Sequence, residues 1–168
     1  MTHIKLLLFD VDGVLTDGRI VVHADGTESK AFSIRDGSAI VWAQRAGLAV
    51  GLLSARTAPA TAVRAAQLGI TTVVQGSANK LAGYEQILSR AGLVDDEVGY
   101  MGDDLQDLPV LRRAGFSAAP ADAAPEVRRA VQWVSTSGGG RGAVRECIEH
   151  VLRAQGQWHA AVGGFLEP

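Results

Sequence analysis

The chain has 168 residues, 47% of them hydrophobic, and a formal net charge of −2. That length and apolar content suit one compact domain with a substantial core, and the near-neutral balance argues against nucleic-acid binding. The lone Cys147 leaves no internal disulfide, no apolar stretch approaches membrane length, and Met1-Thr2-His3 leads into a strand without a leader pattern, so a cytoplasmic protein is expected. Residues 6–9, "LLLF", form a continuous apolar run of the kind found when both faces of a parallel strand are covered. Asp10 and Asp12 follow where that strand stops. Side chains two apart in a strand project to one side, and two carboxylates so placed need a cation or a shared proton. Asp-Gly is also ordinary turn chemistry.

Residues 19–23 and 29–34 read as strands around Ala24-Asp25-Gly26, a protruding β-hairpin. A helix over 38–46 stops at Gly47, and "LAVGLLSAR" is a second buried strand. A helix over 58–68 follows, then "ITTVVQG" as a strand, "NKLAGYEQILSRAG" as a helix and "EVGYMGDD" as a strand. The series continues with "LQDLPVLRRAG" as a helix, "FSAAP" as a short strand, a helix over 124–130, "VQWVST" as a strand and a helix over 142–155. Strictly alternating strands and helices predict an α/β fold with a doubly wound, mostly parallel sheet. Cys147, Trp42 and Trp133 lie in apolar patterns and are expected in the core.

The chemistry gathers at strand ends. Besides Asp10 and Asp12 there are Ser54, Lys80 at the start of a helix, and Gly102-Asp103-Asp104 with Asp107 beyond it. In a doubly wound sheet these ends meet at one edge, where such folds keep their ligands. Hard carboxylate oxygens without histidine or cysteine suit Mg²⁺, and the four scattered histidines argue against zinc. A hydroxyl and an amine facing that metal suit a phosphoryl group. Each piece has a plainer reading alone: Ser54 as a helix cap, Lys80 as a solvated helix lysine, "GDDLQD" as a capped helix start.

The order and spacing of "DVDGV", Ser54, Lys80 and "GDDLQD" resemble the haloacid dehalogenase superfamily, chiefly its phosphatases. The resemblance implies that Asp10 is the nucleophile that becomes an aspartyl phosphate, and that Asp12 is the general acid and then base. It implies that Ser54 and Lys80 hold the phosphoryl group, and that Asp10, Asp103 and the Asp12 backbone carbonyl hold Mg²⁺, with Asp104 and Asp107 in support. Ser54-Ala55-Arg56 departs from the Thr-Gly-Arg of close relatives but keeps the hydroxyl. Neither usual insertion point has room for a cap domain, since only the hairpin over 19–34 occupies the first. Together with "FSIRDG", "SGGGRGAVRE" and "AQGQ", this capless arrangement resembles the 3-deoxy-D-manno-octulosonate 8-phosphate phosphatases over residues 4–157. That family dephosphorylates an eight-carbon sugar acid in lipopolysaccharide inner-core synthesis and assembles as homotetramers. The resemblance points to Arg35, Arg56 and Arg141 as substrate contacts. It also implies that hairpins of four copies pair into a barrel; from the charge balance and the lack of a membrane-length apolar run, no nucleic-acid or membrane partner is expected. The tail, 156–168, carries Trp158 and Phe165 and is expected to fold over a pocket as a lid. A phosphatase for nine-carbon sugar acids, or a non-catalytic tetramerisation module, stays open as an alternative.

Overall fold

The structure is a computed structural model that describes residues 3–165. In chain order, β1 is Leu6–Phe9, and a two-stranded antiparallel hairpin follows, β2 Val21–Val22 with β3 Glu28–Ser29. Next come α1 Ile34–Arg45, β4 Ala49–Leu53, α2 Pro59–Gln67, β5 Thr72–Val74, α3 Lys80–Ala91 and β6 Val98–Met101. The chain continues through α4 Leu108–Leu111, β7 Phe116–Ala119, α5 Pro125–Ala130, β8 Trp133–Val134, α6 Ala143–Ala154 and α7 Trp158–Val162. Six strands form one sheet in the order β5-β4-β1-β6-β7-β8, and all five pairings are parallel. The doubly wound fold expected from the alternation is therefore present.

The apolar run of β1 is buried on both sides because β1 lies in the middle of the sheet. Leu7 and Phe9 join Ile40, Ile148 and Val151 in a cluster beneath α1 and α6, whereas Leu6 and Leu8 join Tyr84, Ile87, Val110 and Val127 beneath α3, α4 and α5. The twofold alternation of a strand distributes consecutive leucines to opposite layers. Each such side chain contributes roughly 1.5–3 kcal/mol on burial. Cys147 is fully buried in the α6 layer, where burial pushes its thiol pKa up, and Trp42 and Trp133 pack half-buried against the same layer. No helix among the described residues is long and apolar enough to cross a membrane.

Three boundaries differ from the sequence expectation. The hairpin arms are two residues each rather than five or six, and residue 34 lies in α1 rather than in a strand. The reason is local: the Ser33 hydroxyl accepts a hydrogen bond from the Asp36 amide at 3.3 Å and starts α1 four residues earlier than expected. The helix expected over 105–115 is a short 3₁₀ turn, Leu105–Asp107, joined to the single turn of α4. The tail forms α7 on its own chain, where Trp158 meets the ring of Trp42 edge-on at 6.4 Å and Phe165 lies 5.9 Å from it. The guanidiniums of Arg145 and Arg153 stack on Trp42 and Trp158. The described part of the tail thus rests on α1 and α6, and residues 166–168 lie outside the described residues.

Candidate active site

At the carboxyl edge of the sheet, the Asp10 amide donates to the Met101 carbonyl at 3.0 Å, which carries the β1–β6 ladder one step past the last strand residue. The chain then turns sharply through Val11–Leu15, with Gly13 at φ +91°. A Cβ at Gly13 would run into the Asp103 carboxylate, so glycine here serves both the turn and the close approach of two acidic loops. The edge lies between β4 and β6, on either side of β1, the point where strand order reverses in a doubly wound sheet.

Lys80 stands at the centre of the charge cluster. Asn79 caps α3 by accepting from the Ala82 amide at 3.2 Å, which fixes Lys80 as the first helical residue. Its buried ammonium lies 2.5 Å from Asp107 Oδ1 and 2.9 Å from Asp10 Oδ2. Tyr100 on β6 donates its hydroxyl to the same Asp107 Oδ1 at 2.5 Å. Asp107 Oδ2 accepts from the amides of Asp103 and Asp104, both at 3.1 Å. Both oxygens of Asp107 are therefore engaged, and its role is to hold Lys80 and the Asp103 loop.

Carboxylate oxygens of Asp10, Asp103 and Asp107 lie within 4.8 Å of one another. Burial pushes the pKa of Asp103 up to about 8, with the charges of Asp10 and Asp107 adding to it. Burial also raises Asp10, to about 6, although Lys80 pulls in the opposite direction. For Lys80 itself, burial works against the ammonium, but Asp10 and Asp107 outweigh it and hold its pKa above the ordinary value. Asp103 Oδ1 is buried and has no hydrogen-bond partner. Three acids against one ammonium, with a buried carboxylate oxygen left over, fit a hard divalent cation such as Mg²⁺. With Asp107 saturated, Asp10 and Asp103 are the side chains able to hold it.

Asp12 faces different partners. The Lys30 ammonium lies 2.6 Å from its Oδ1 and 2.8 Å from its Oδ2, and Arg56 Nε is 3.8 Å from Oδ2. Arg56 also donates to Glu28 on β3 at 2.8 Å, which ties the hairpin across the mouth of the site. Ser54 follows β4 directly and is buried, its hydroxyl accepting from the Arg56 amide at 3.3 Å. The Gly138–Gly140 stretch packs against the turn after Asp10. Gly140 N donates to Val14 O at 2.9 Å, and a Cβ at Gly139 would overlap the Gly13 carbonyl.

Residues 51–146, more than half of the chain, match the haloacid dehalogenase-like hydrolases. The chain belongs to that family. The hydrolase is 42% identical over 161 residues, 96% of this chain and 86% of the relative, to 3-deoxy-D-manno-octulosonate 8-phosphate phosphatase of Escherichia coli (strain B / BL21-DE3). It is similar to the crystal structure of 3-deoxy-D-manno-octulosonate 8-phosphate phosphatase from Yersinia pestis, with a TM-score of 0.91 and 40% identity, covering 94% of this chain and 85% of that one. It is also similar to the Moraxella catarrhalis phosphatase of that name in complex with magnesium, phosphate and a KDO molecule. There the TM-score is 0.95 and the identity 35%, covering 98% of this chain and 94% of that one.

Within the hydrolase, the structure brings together Asp10, Lys80, Asp103 and Asp107, and beside them Asp12 and Arg56. Asp104 turns away: its carboxylate accepts from the Leu105 amide at 2.8 Å and caps the 3₁₀ turn, as the plainer reading of "GDDLQD" has it. Arg35 and Arg141 line a separate cavity of about 360 Å³ between α1 and α6, with Arg145, Glu146 and Glu149, and none of the acids of the cluster lines it. Sequence reasoning missed Lys30, Tyr100 and Asp36. Asp36, fully buried in α1, accepts from the amides of Gly142 and Arg145 and anchors the start of α6. Its place three residues after Ser33 marks a helix start, whereas Lys30 and Tyr100 meet their partners only through the tertiary fold.

Proposed function

We propose that this hydrolase is a Mg²⁺-dependent phosphatase that releases the phosphate of 3-deoxy-D-manno-octulosonate 8-phosphate, in the cytoplasm, on the route to the lipopolysaccharide inner core. The observation that carries the reading is the buried Asp10–Lys80–Asp107 triad with Asp103 beside it, in a chain 42% identical to phosphatases for that substrate. In this reading Asp10 attacks phosphorus. A bond forms between Asp10 and phosphorus as the bond to the sugar oxygen breaks, giving an aspartyl phosphate. Asp12 donates a proton to the departing sugar oxygen, then takes one from the water that attacks the phosphoryl group and frees Asp10. Asp10 suits the part because its pKa of about 6 leaves it mostly ionised at neutral pH. Lys80 pins one Asp10 oxygen and sets the direction of attack, while Ser54 lies at the adjacent strand end, where its hydroxyl can donate to a phosphoryl oxygen. Mg²⁺, held by the Asp10 and Asp103 carboxylates and the Asp12 backbone carbonyl, would draw charge from the phosphoryl oxygens. Arg56 reaches the mouth and is the arginine best placed to meet the sugar acid.

The assembly is part of the same reading. Val21 and Val22 are 58% and 67% exposed on a hairpin with which no other strand among the described residues pairs, and this supports pairing of hairpins among four copies. The test is phosphate release from a panel of sugar-acid phosphates, with and without chelator. Expected is Mg²⁺-dependent turnover with the eight-carbon 8-phosphate at least about tenfold ahead of nine-carbon 9-phosphates, a gap of about 1.4 kcal/mol. Asp10→Asn should lower turnover by about 10³-fold or more. No release from any sugar-acid phosphate, or preference for the nine-carbon acids, overturns the reading.

A further inference from the structure

We propose that Lys30 is a positioning residue for the Asp12 carboxylate, delivered to the site by the stem of the hairpin. The inference rests on the reading above, in which Asp12 moves the proton. Lys30 is the first residue after β3 and lies three before the Ser33 cap of α1, so its backbone is fixed from both sides. Its side chain has no exposed surface, although it leaves an otherwise exposed arm of the chain. The ammonium reaches both oxygens of Asp12, at 2.6 and 2.8 Å. An ammonium buried without a partner is costly, so Lys30 cannot swing away from Asp12 unless the hairpin stem also leaves its place.

The Asp12 side chain is 20% exposed with its Oδ1 buried, while Lys30 closes on one side and Arg56 stands 3.8 Å from Oδ2 on another. Arg56 is in turn held by Glu28, two residues before Lys30. Two cations and two carboxylates from the hairpin, the β1 turn and the β4 turn therefore form one balanced network. Among the described residues the ion pairs of Lys30 go to Asp12 and those of Lys80 to Asp10 and Asp107, so Lys30 acts on the chemistry through Asp12. A carboxylate that must meet both the sugar oxygen and the incoming water in turn gains from such a clamp. A misplacement of about 1 Å in such a group costs on the order of 10²-fold in rate.

The test compares wild type, Lys30→Met, Lys30→Gln, Lys30→Arg and Asp12→Asn on aryl phosphates whose phenols span a range of acidity, with fold and thermal midpoint followed by circular dichroism. The readout is the single-turnover release of the phenol, which isolates the first half of the reaction; there a leaving group that needs no proton bypasses Asp12, and a poor one does not. Expected for Lys30→Met and Lys30→Gln is a loss in that rate of about 10²-fold on the poorest leaving group and under about threefold on the best, with Lys30→Arg recovering at least a tenth of the wild-type rate. Lys30→Gln carries no charge to bury, so either neutral variant decides the matter if it folds. Equal losses across the series, or no loss in a folded neutral variant, overturn the proposal. If Asp12→Asn itself shows no dependence on the leaving group, the reading of Asp12 fails first, and that result is separate from any result at Lys30.

Discussion

Asp103 is the residue whose state depends most on what else occupies the site. Its pKa is about 8 in the folded chain against 3.8 for the free side chain, so across that interval the folded form keeps a proton that the unfolded form has lost. Stability of the metal-free protein should therefore fall as pH rises through the interval, and Asp10, raised from 3.8 to about 6, works in the same direction. Mg²⁺ binds the ionised carboxylates, so its gain in thermal midpoint should be larger near about pH 8 than near about pH 5, with proton release on binding measurable by calorimetry. Equal gains at the two pH values would contradict this. Asp107 lies deeper and supports the others. Asp107→Asn keeps the shape but leaves the buried Lys80 ammonium with one carboxylate and takes an acceptor from the Asp103 and Asp104 amides. The expected cost is about 3–5 kcal/mol in urea unfolding. A smaller residual loss, under about 1 kcal/mol, would mean that Asp10 alone holds Lys80. These positions were legible because each falls where a hydrophobic strand pattern stops or a helix starts. Tyr100 was not, since inside the strand "VGYM" it reads as one more core aromatic and only the Asp107 carboxylate gives its hydroxyl a purpose.

Among the elements, the glycine stretch before α6 is the one whose sequence conceals its role. "SGGGRG" reads as a flexible lead, yet Gly139 faces the Gly13 carbonyl with no space for a methyl group, and its amide donates to Asp122 at 2.9 Å. Gly139→Ala should cost about 1–3 kcal/mol by overpacking and should lower turnover further, because the atom displaced belongs to the turn that carries Asp12. Parallel melting and phosphate-release measurements check it, and unchanged turnover would show that the turn absorbs the shift. Strands were easier to read than boundaries. β1, β4 and β6 stand where their apolar runs place them, since central parallel strands have no polar face to blur the pattern. The start of α1 was harder. Phe32 and Ile34 favour extended backbone, and that preference masked the Ser33 cap between them.

At the scale of the whole molecule, the α/β alternation predicts the sheet, but the alternation carries no sign of how the hairpin is covered. Substituting Asp for Val21 and Val22 would place like charges at every hairpin contact of the proposed tetramer. The expected outcome is loss of the tetramer in sedimentation, with the thermal midpoint of the isolated chain little changed. An undiminished tetramer would assign assembly to another surface. The packing of Gly139 and Gly140 on the loop after β1 also bears on the order in which the protein is made. Asp10 and Asp12 leave the ribosome well before β6, which flanks them, and the glycines that press their turn into shape come later still. Until then β1 has β4 to pair with but lacks its β6 partner, and the carboxylates lack Asp103 beside them. The enzyme therefore cannot act while it is being translated, and its aggregation risk is concentrated in that interval, when a chaperone would have the most to shield.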